Sequence, residues 1–125
     1  MKPSIFYLDD EAVLLDIFKE MFSDEYEVHT ATTISEARRV IAQYTPDIII
    51  SDWSMPDISG IEFLREAAEI CPGSFRIMLT GFAQVGDMIK EISSGVVQSF
   101  IPKPWSEEQM RSALERAYRS RTAKS

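Results

Sequence analysis

Five short apolar runs alternate along the chain with stretches in which apolar residues return every three or four positions. The runs cover residues 4–8, 26–30, 48–51, 75–79 and 97–101 and predict strands. The third is the most telling. Ile48, Ile49 and Ile50 follow one another without polar alternation, which predicts a strand buried on both faces, as in a parallel sheet. Pro46 ahead of it stops the preceding helix.

Helical spacing predicts helices over 12–22 (Leu14, Leu15, Phe18, Met21 and Phe22 inward), 35–44 (Ala37, Val40, Ile41) and 61–70 (Phe63, Leu64, Ala67, Ala68). Two more are predicted over 85–94 and from Ser106 to about Arg119, the last with Met110, Ala113, Leu114, Ala117 and Tyr118 inward. Thr33 with Glu36, and Ser106 with Gln109, read as capping boxes. Cys71-Pro72-Gly73 ends the third helix and Gly95 the fourth. Within the fourth, Gly86 and the Ser93-Ser94 pair lower helix propensity. Strand and helix alternating five times predicts a single α/β domain with a parallel sheet covered on both faces. The domain spans residues 1–121, and residues 122–125 form a polar tail or the start of a linker.

Composition narrows the function. The chain has 125 residues, 45% of them hydrophobic, as an ordinary globular domain has. Its net charge of −7 argues against unaided nucleic-acid binding. A single cysteine, Cys71, excludes an internal disulfide and thiolate metal clusters, and a single histidine, His29, leaves no room for a multi-histidine zinc site. No apolar run approaches membrane-spanning length, and the N-terminal run is too short for a signal-peptide core. The expected location is cytoplasmic, without membrane contact.

Such sheets bind ligands beyond the carboxyl ends of their strands. The first strand ends in Asp9-Asp10, the third in Asp52, the fourth in Thr80-Gly81, and Lys103 follows the fifth. Read singly, these are ordinary residues: acids that begin a turn or a helix, a strand-end threonine, a solvated lysine. Together on one rim they form a set suited to phosphoryl chemistry. Clustered carboxylates repel one another unless a cation is present, and an all-oxygen site suits Mg²⁺, with Mn²⁺ as a substitute. A lysine and a threonine hydroxyl can meet phosphoryl oxygens, and Gly81 lets its backbone N–H approach them. A carboxylate can itself be the nucleophile. Asp52, midway along the rim, is the best placed.

In this order, each after its own strand, Asp9-Asp10, Asp52 with Met55-Pro56 and Gly60, Thr80-Gly81 and Lys103-Pro104 resemble a response-regulator receiver domain of two-component phosphorelay signalling. The resemblance covers nearly the whole chain. It implies a flavodoxin-like (βα)5 doubly wound sheet of five parallel strands in the order 2-1-3-4-5. It makes Asp52 the phosphoacceptor for a sensor histidine kinase or a histidine phosphotransfer protein. Mg²⁺ would be held by Asp10, Asp52 and the backbone carbonyl of Ser54, with Asp9 acting largely through water. Lys103 and Thr80 would bind the phosphoryl group, and Phe100 would be the switch aromatic. The Lys103–Pro104 bond would be cis. Ser54 and Phe82 occupy positions that tune acyl-phosphate lifetime, and the bulk of Phe82 is expected to hinder the attacking water. The signal would leave through the surface of the fourth helix, fifth strand and fifth helix, toward a downstream effector, a covalently linked output domain or a second copy of the chain. Beyond catalysing its own phosphorylation and dephosphorylation, such a protein is not an enzyme. In the family's order the fifth strand is an edge, where Pro102 is tolerated.

Two other functions compete. A haloacid-dehalogenase-like phosphatase also uses an aspartyl nucleophile with Thr, Lys and Mg²⁺. It would want a second acid two residues after the nucleophile, where Ser54 stands. A receiver-fold interaction module that is not phosphorylated would be expected to lack a member of the set, and none is missing.

Overall fold

The computed structural model describes residues 2–55, 58–81 and 94–123. Pro56, Phe82 and the helix expected over 85–94 lie outside the described residues, apart from Ser94 at that helix's end. The strands are β1 (Ser4–Leu8), β2 (Glu27–Ala31), β3 (Ile48–Asp52), β4 (Phe75–Thr80) and β5 (Ser99–Pro102). The helices are α1 (Ala12–Phe22), α2 (Ile34–Tyr44), α3 (Gly60–Ile70) and a C-terminal helix (Glu107–Ala123). All strand pairs are parallel, in the order β2-β1-β3-β4-β5.

Alternation along each central strand divides the core in two. Ile5, Tyr7, Ile48, Ile50, Ile77 and Leu79 face one side and pack on Leu15, Phe18 and Phe22 of α1 and on Met110, Leu114 and Ala117 of the C-terminal helix. Phe6, Leu8, Ile49 and Met78 face the other and pack on Ile34, Ala37 and Ile41 of α2 and on Phe63, Leu64 and Ala67 of α3. Every residue of β3 is buried, as its uninterrupted apolar run requires.

Several details depart from the sequence pattern. Val28, which the pattern makes the buried centre of the second strand, is only half-buried, because β2 is an edge strand and one side of it lacks a neighbour. Tyr118 is 39% exposed and lines an open surface cavity with Pro3 and Tyr26. That helix also continues to Ala123, beyond the expected end near Arg119. The Thr33 hydroxyl accepts from the Glu36 N–H at 3.2 Å, and Ser106 and Gln109 bond reciprocally at 3.1 and 2.9 Å.

At its carboxyl end α2 stops on Thr45, whose φ of 43° and ψ of 63° lie in the left-handed region. A β-branched residue is strained there, where glycine is at ease. Thr45→Gly is therefore expected to stabilise the protein, net of the added freedom of its unfolded chain, by about 0.5–1 kcal/mol. Urea denaturation is the check, and a variant less stable than wild type would refute it.

Candidate functional site

The sheet order places β1 and β3 side by side, and chain connections leave them in opposite directions, to β2 and to β4. A crevice at the carboxyl ends of two such strands is where doubly wound sheets take ligands. Asp9 follows β1 and is completely buried, while Asp10 beside it is exposed. Asp52 is the last residue of β3 and is 8% exposed. Oxygens of Asp9, Asp10 and Asp52 lie within 4.8 Å of one another. Lys103 reaches in from beyond β5, its Nζ 3.3 Å from Asp9 Oδ2 and 3.3 Å from Asp52 Oδ1. It is held there by its own N–H, which donates to the Thr80 carbonyl at 2.8 Å. The Lys103–Pro104 peptide bond is cis.

Thr80 ends β4 and is fully buried. Its Oγ1 is the buried side-chain polar atom that has no hydrogen-bond partner among the described residues. Leaving a hydroxyl unbonded in the interior costs roughly 1–3 kcal/mol. Gly81 follows at the rim and Ser54 lies exposed after β3. Phe100 is half-buried in β5, against the α2–α3 side of the core, and lines an open surface cavity with Pro102, Ser106 and Gln109. Phe82 cannot be placed beside them, since it lies outside the described residues.

The electrostatics follow from this crowding. Burial, then the negative charge of Asp9, raises the Asp52 carboxyl above the usual carboxylate range, against the opposing pull of Lys103. Burial alone would lower the Lys103 ammonium, but Asp9 and Asp52 together outweigh it and leave the lysine firmly protonated. One lysine thus faces three carboxylates. An oxygen-only donor set with uncompensated negative charge fits a Mg²⁺ ion that retains part of its water shell.

Three residues that shape this geometry had no stated part in it from the sequence pattern, although Gly60 stands among the residues that carry the resemblance. The Tyr7 hydroxyl donates to Asp9 Oδ2 at 2.8 Å. Gly60 begins α3 directly against Asp52, whose carbonyl oxygen lies 2.1 Å from where a Cβ on residue 60 would sit. Arg76, buried in β4, donates to the Ser74, Gly95 and Val96 carbonyls and fastens the approach to β5. A signal existed for each: Tyr7 lies two positions before Asp9 and hence on the same side of the strand line, Gly60 stands at a helix start, and Arg76 interrupts an apolar run.

Residues 5–115 match the response regulator receiver domain model. The chain belongs to that family. Receiver relatives include the chemotaxis protein CheY of Halobacterium salinarum, 28% identical over 115 residues, which cover 91% of this chain and 95% of that protein. The hydrogenase transcriptional regulatory protein HoxA of Cupriavidus necator is 27% identical over 91% of this chain, but the match takes in only 24% of HoxA. The chain thus spans about a quarter of the length of HoxA and of the transcriptional regulatory protein GlrR of Escherichia coli. A solved response regulator receiver domain from Clostridium thermocellum has a TM-score of 0.91 at 28% identity, covering 98% of this chain and 99% of that one. Receiver domains are signalling modules of two-component regulators, and bind Mg²⁺ at an aspartate cluster such as Asp9, Asp10 and Asp52. Among the described residues, no helix of this receiver is long and apolar enough to cross a membrane.

Proposed function

We propose that this receiver accepts a phosphoryl group on Asp52 from the phosphohistidine of a sensor kinase or phosphotransfer protein, and reports it to a partner protein or a linked output domain. One observation carries the reading. The central carboxylate of the rim lies 3.3 Å from a lysine and ends the strand paired with β4, which itself ends in a buried threonine whose hydroxyl has no partner among the described residues. A threonine merely completing a strand would have its hydroxyl satisfied.

In the transfer, an Asp52 oxygen attacks phosphorus in line. The P–N bond breaks, its electron pair leaves with the imidazole, which takes a proton from solvent, and an acyl phosphate remains. Asp10, Asp52 and the Ser54 carbonyl would hold the Mg²⁺, with Asp9 contributing through water. That ion would offset the charge of the phosphoryl oxygens. Lys103 exchanges its bond to Asp52 for one to a phosphoryl oxygen, while the Thr80 hydroxyl and the Gly81 N–H meet others. The movement of Thr80 draws Phe100 inward and alters the surface around β5 and the C-terminal helix, where a partner or a second copy binds.

The test is incubation with acetyl phosphate and Mg²⁺, followed by intact-mass measurement and peptide mapping. A single phosphoryl group on the peptide carrying Asp52, absent when EDTA is added, is the expected result. An unlabelled protein would refute the reading, and steady turnover of simple phosphate esters would favour the phosphatase alternative.

A further inference from the structure

Asp9 is enclosed more fully than a metal site requires. Its Oδ1 accepts the Glu11 N–H at 3.0 Å. Its Oδ2 accepts the Tyr7 hydroxyl at 2.8 Å and the Lys103 ammonium at 3.3 Å. A carboxylate oxygen offers about two good acceptor directions, so Oδ2 is fully engaged. The tyrosine that engages it cannot turn away. Its ring is completely buried and meets Phe18 edge-on at 5.0 Å, and Phe18 in turn meets Trp105 edge-on at 6.2 Å. A phenol so placed has a fixed oxygen position, 2.8 Å from Asp9 Oδ2.

We infer that Tyr7 is a positioning residue that acts through Asp9 and sets the Mg²⁺ affinity of the site. By occupying one lone-pair direction of Oδ2, its hydroxyl keeps Asp9 turned toward Lys103 and away from the ion. The ion is left to Asp10 and Asp52, and Asp9 reaches it only through water. The inference rests on the metal-binding part of the proposed function. Removing the hydroxyl frees that lone pair of a carboxylate whose oxygens lie within 4.8 Å of those of the other two. Mg²⁺ should then bind more tightly, about tenfold, the scale of one hydrogen bond to a charged group.

Isothermal titration of wild type, Tyr7→Phe, Asp9→Asn and the double variant with MgCl₂ decides the matter, because the phenylalanine retains the packed ring. The expected result is tighter binding by Tyr7→Phe in the wild-type background and no gain from it in the Asp9→Asn background. An unchanged or weaker affinity for Tyr7→Phe overturns the inference, and so does a gain that persists without the Asp9 carboxylate. Absence of any isotherm for wild type overturns the metal site itself, and with it this role for Tyr7. A readout on the wild-type chain guards against a variant that fails to fold. The ¹³Cζ resonance of Tyr7 follows donation by its hydroxyl, which stays on Asp9, and should hold its hydrogen-bonded position through the MgCl₂ titration. A resonance that moves to the position of a released hydroxyl as the ion binds overturns the inference.

Discussion

Replacing Asp52 by asparagine is expected to end phosphoryl labelling and, at the same time, to make the metal-free protein more stable. The first effect removes the nucleophile, so labelling by acetyl phosphate should fall at least about a thousandfold. The second follows from the raised pKa of Asp52, caused first by burial and then by Asp9. A carboxyl that holds its proton more tightly folded than unfolded adds most stability in acid, and that contribution is lost as pH rises through the folded-state value. Near neutrality the ionised group therefore opposes folding, and asparagine should gain about 1 kcal/mol, or roughly 4 °C in Tm. The gain should shrink as the pH is lowered into the carboxylate range. Adding Mg²⁺ should raise the Tm of wild type more than that of the variant. Thermal scans at several pH values, with and without Mg²⁺, test both signs. Undiminished labelling, or an asparagine variant less stable at neutral pH than in acid relative to wild type, would contradict this account.

Gly60→Ala is expected to be the most damaging small substitution near the site. The added Cβ would stand 2.1 Å from the Asp52 carbonyl oxygen and 3.0 Å from both its carbonyl carbon and the Ser51 hydroxyl oxygen. The first two are backbone atoms of the central strand and cannot swing aside. Either α3 lifts or the end of β3 shifts, at a cost of about 3 kcal/mol, roughly 10 °C in Tm. Labelling should also slow at temperatures where the variant is still folded, because Asp52 is displaced from Lys103. Urea denaturation and a labelling time course measure the two effects. A variant within about 1 kcal/mol of wild type would mean that this contact yields easily.

The parts of the site that could be read from sequence share one property: each followed an apolar run that marked its own strand. Ile48–Ile50 announced β3 and so gave Asp52 its place, and the same logic put Asp9, Thr80 and Lys103 on one rim. The hidden residues lacked that marker. Tyr7 looked like one more apolar position, since alternation reveals a face but not what a hydroxyl on that face will reach. Gly60 read as a turn residue, because the approach of α3 to β3 is a tertiary event with no local trace. Arg76 lay unremarked inside the fourth apolar run, because the carbonyls it meets come from Gly95 and Val96, far along the chain. Strand ends moved by a residue or two for an ordinary reason: pairing partners, rather than composition, decide where a ladder stops. Val28 and Tyr118 were misjudged because inward-facing patterns overstate burial at an edge strand and beside an open surface cavity.

The Thr80 hydroxyl, without a partner among the described residues, bears on how this protein would respond to selection in the laboratory. A library screened only for survival of heating should drift toward valine at position 80 and asparagine at position 52, since each exchange removes a strained or repelled polar group from the interior. The winners would be sturdier and deaf. A screen that also demanded labelling should return the threonine and the aspartate every time, and comparing the two pools would separate residues kept for shape from residues kept for hearing.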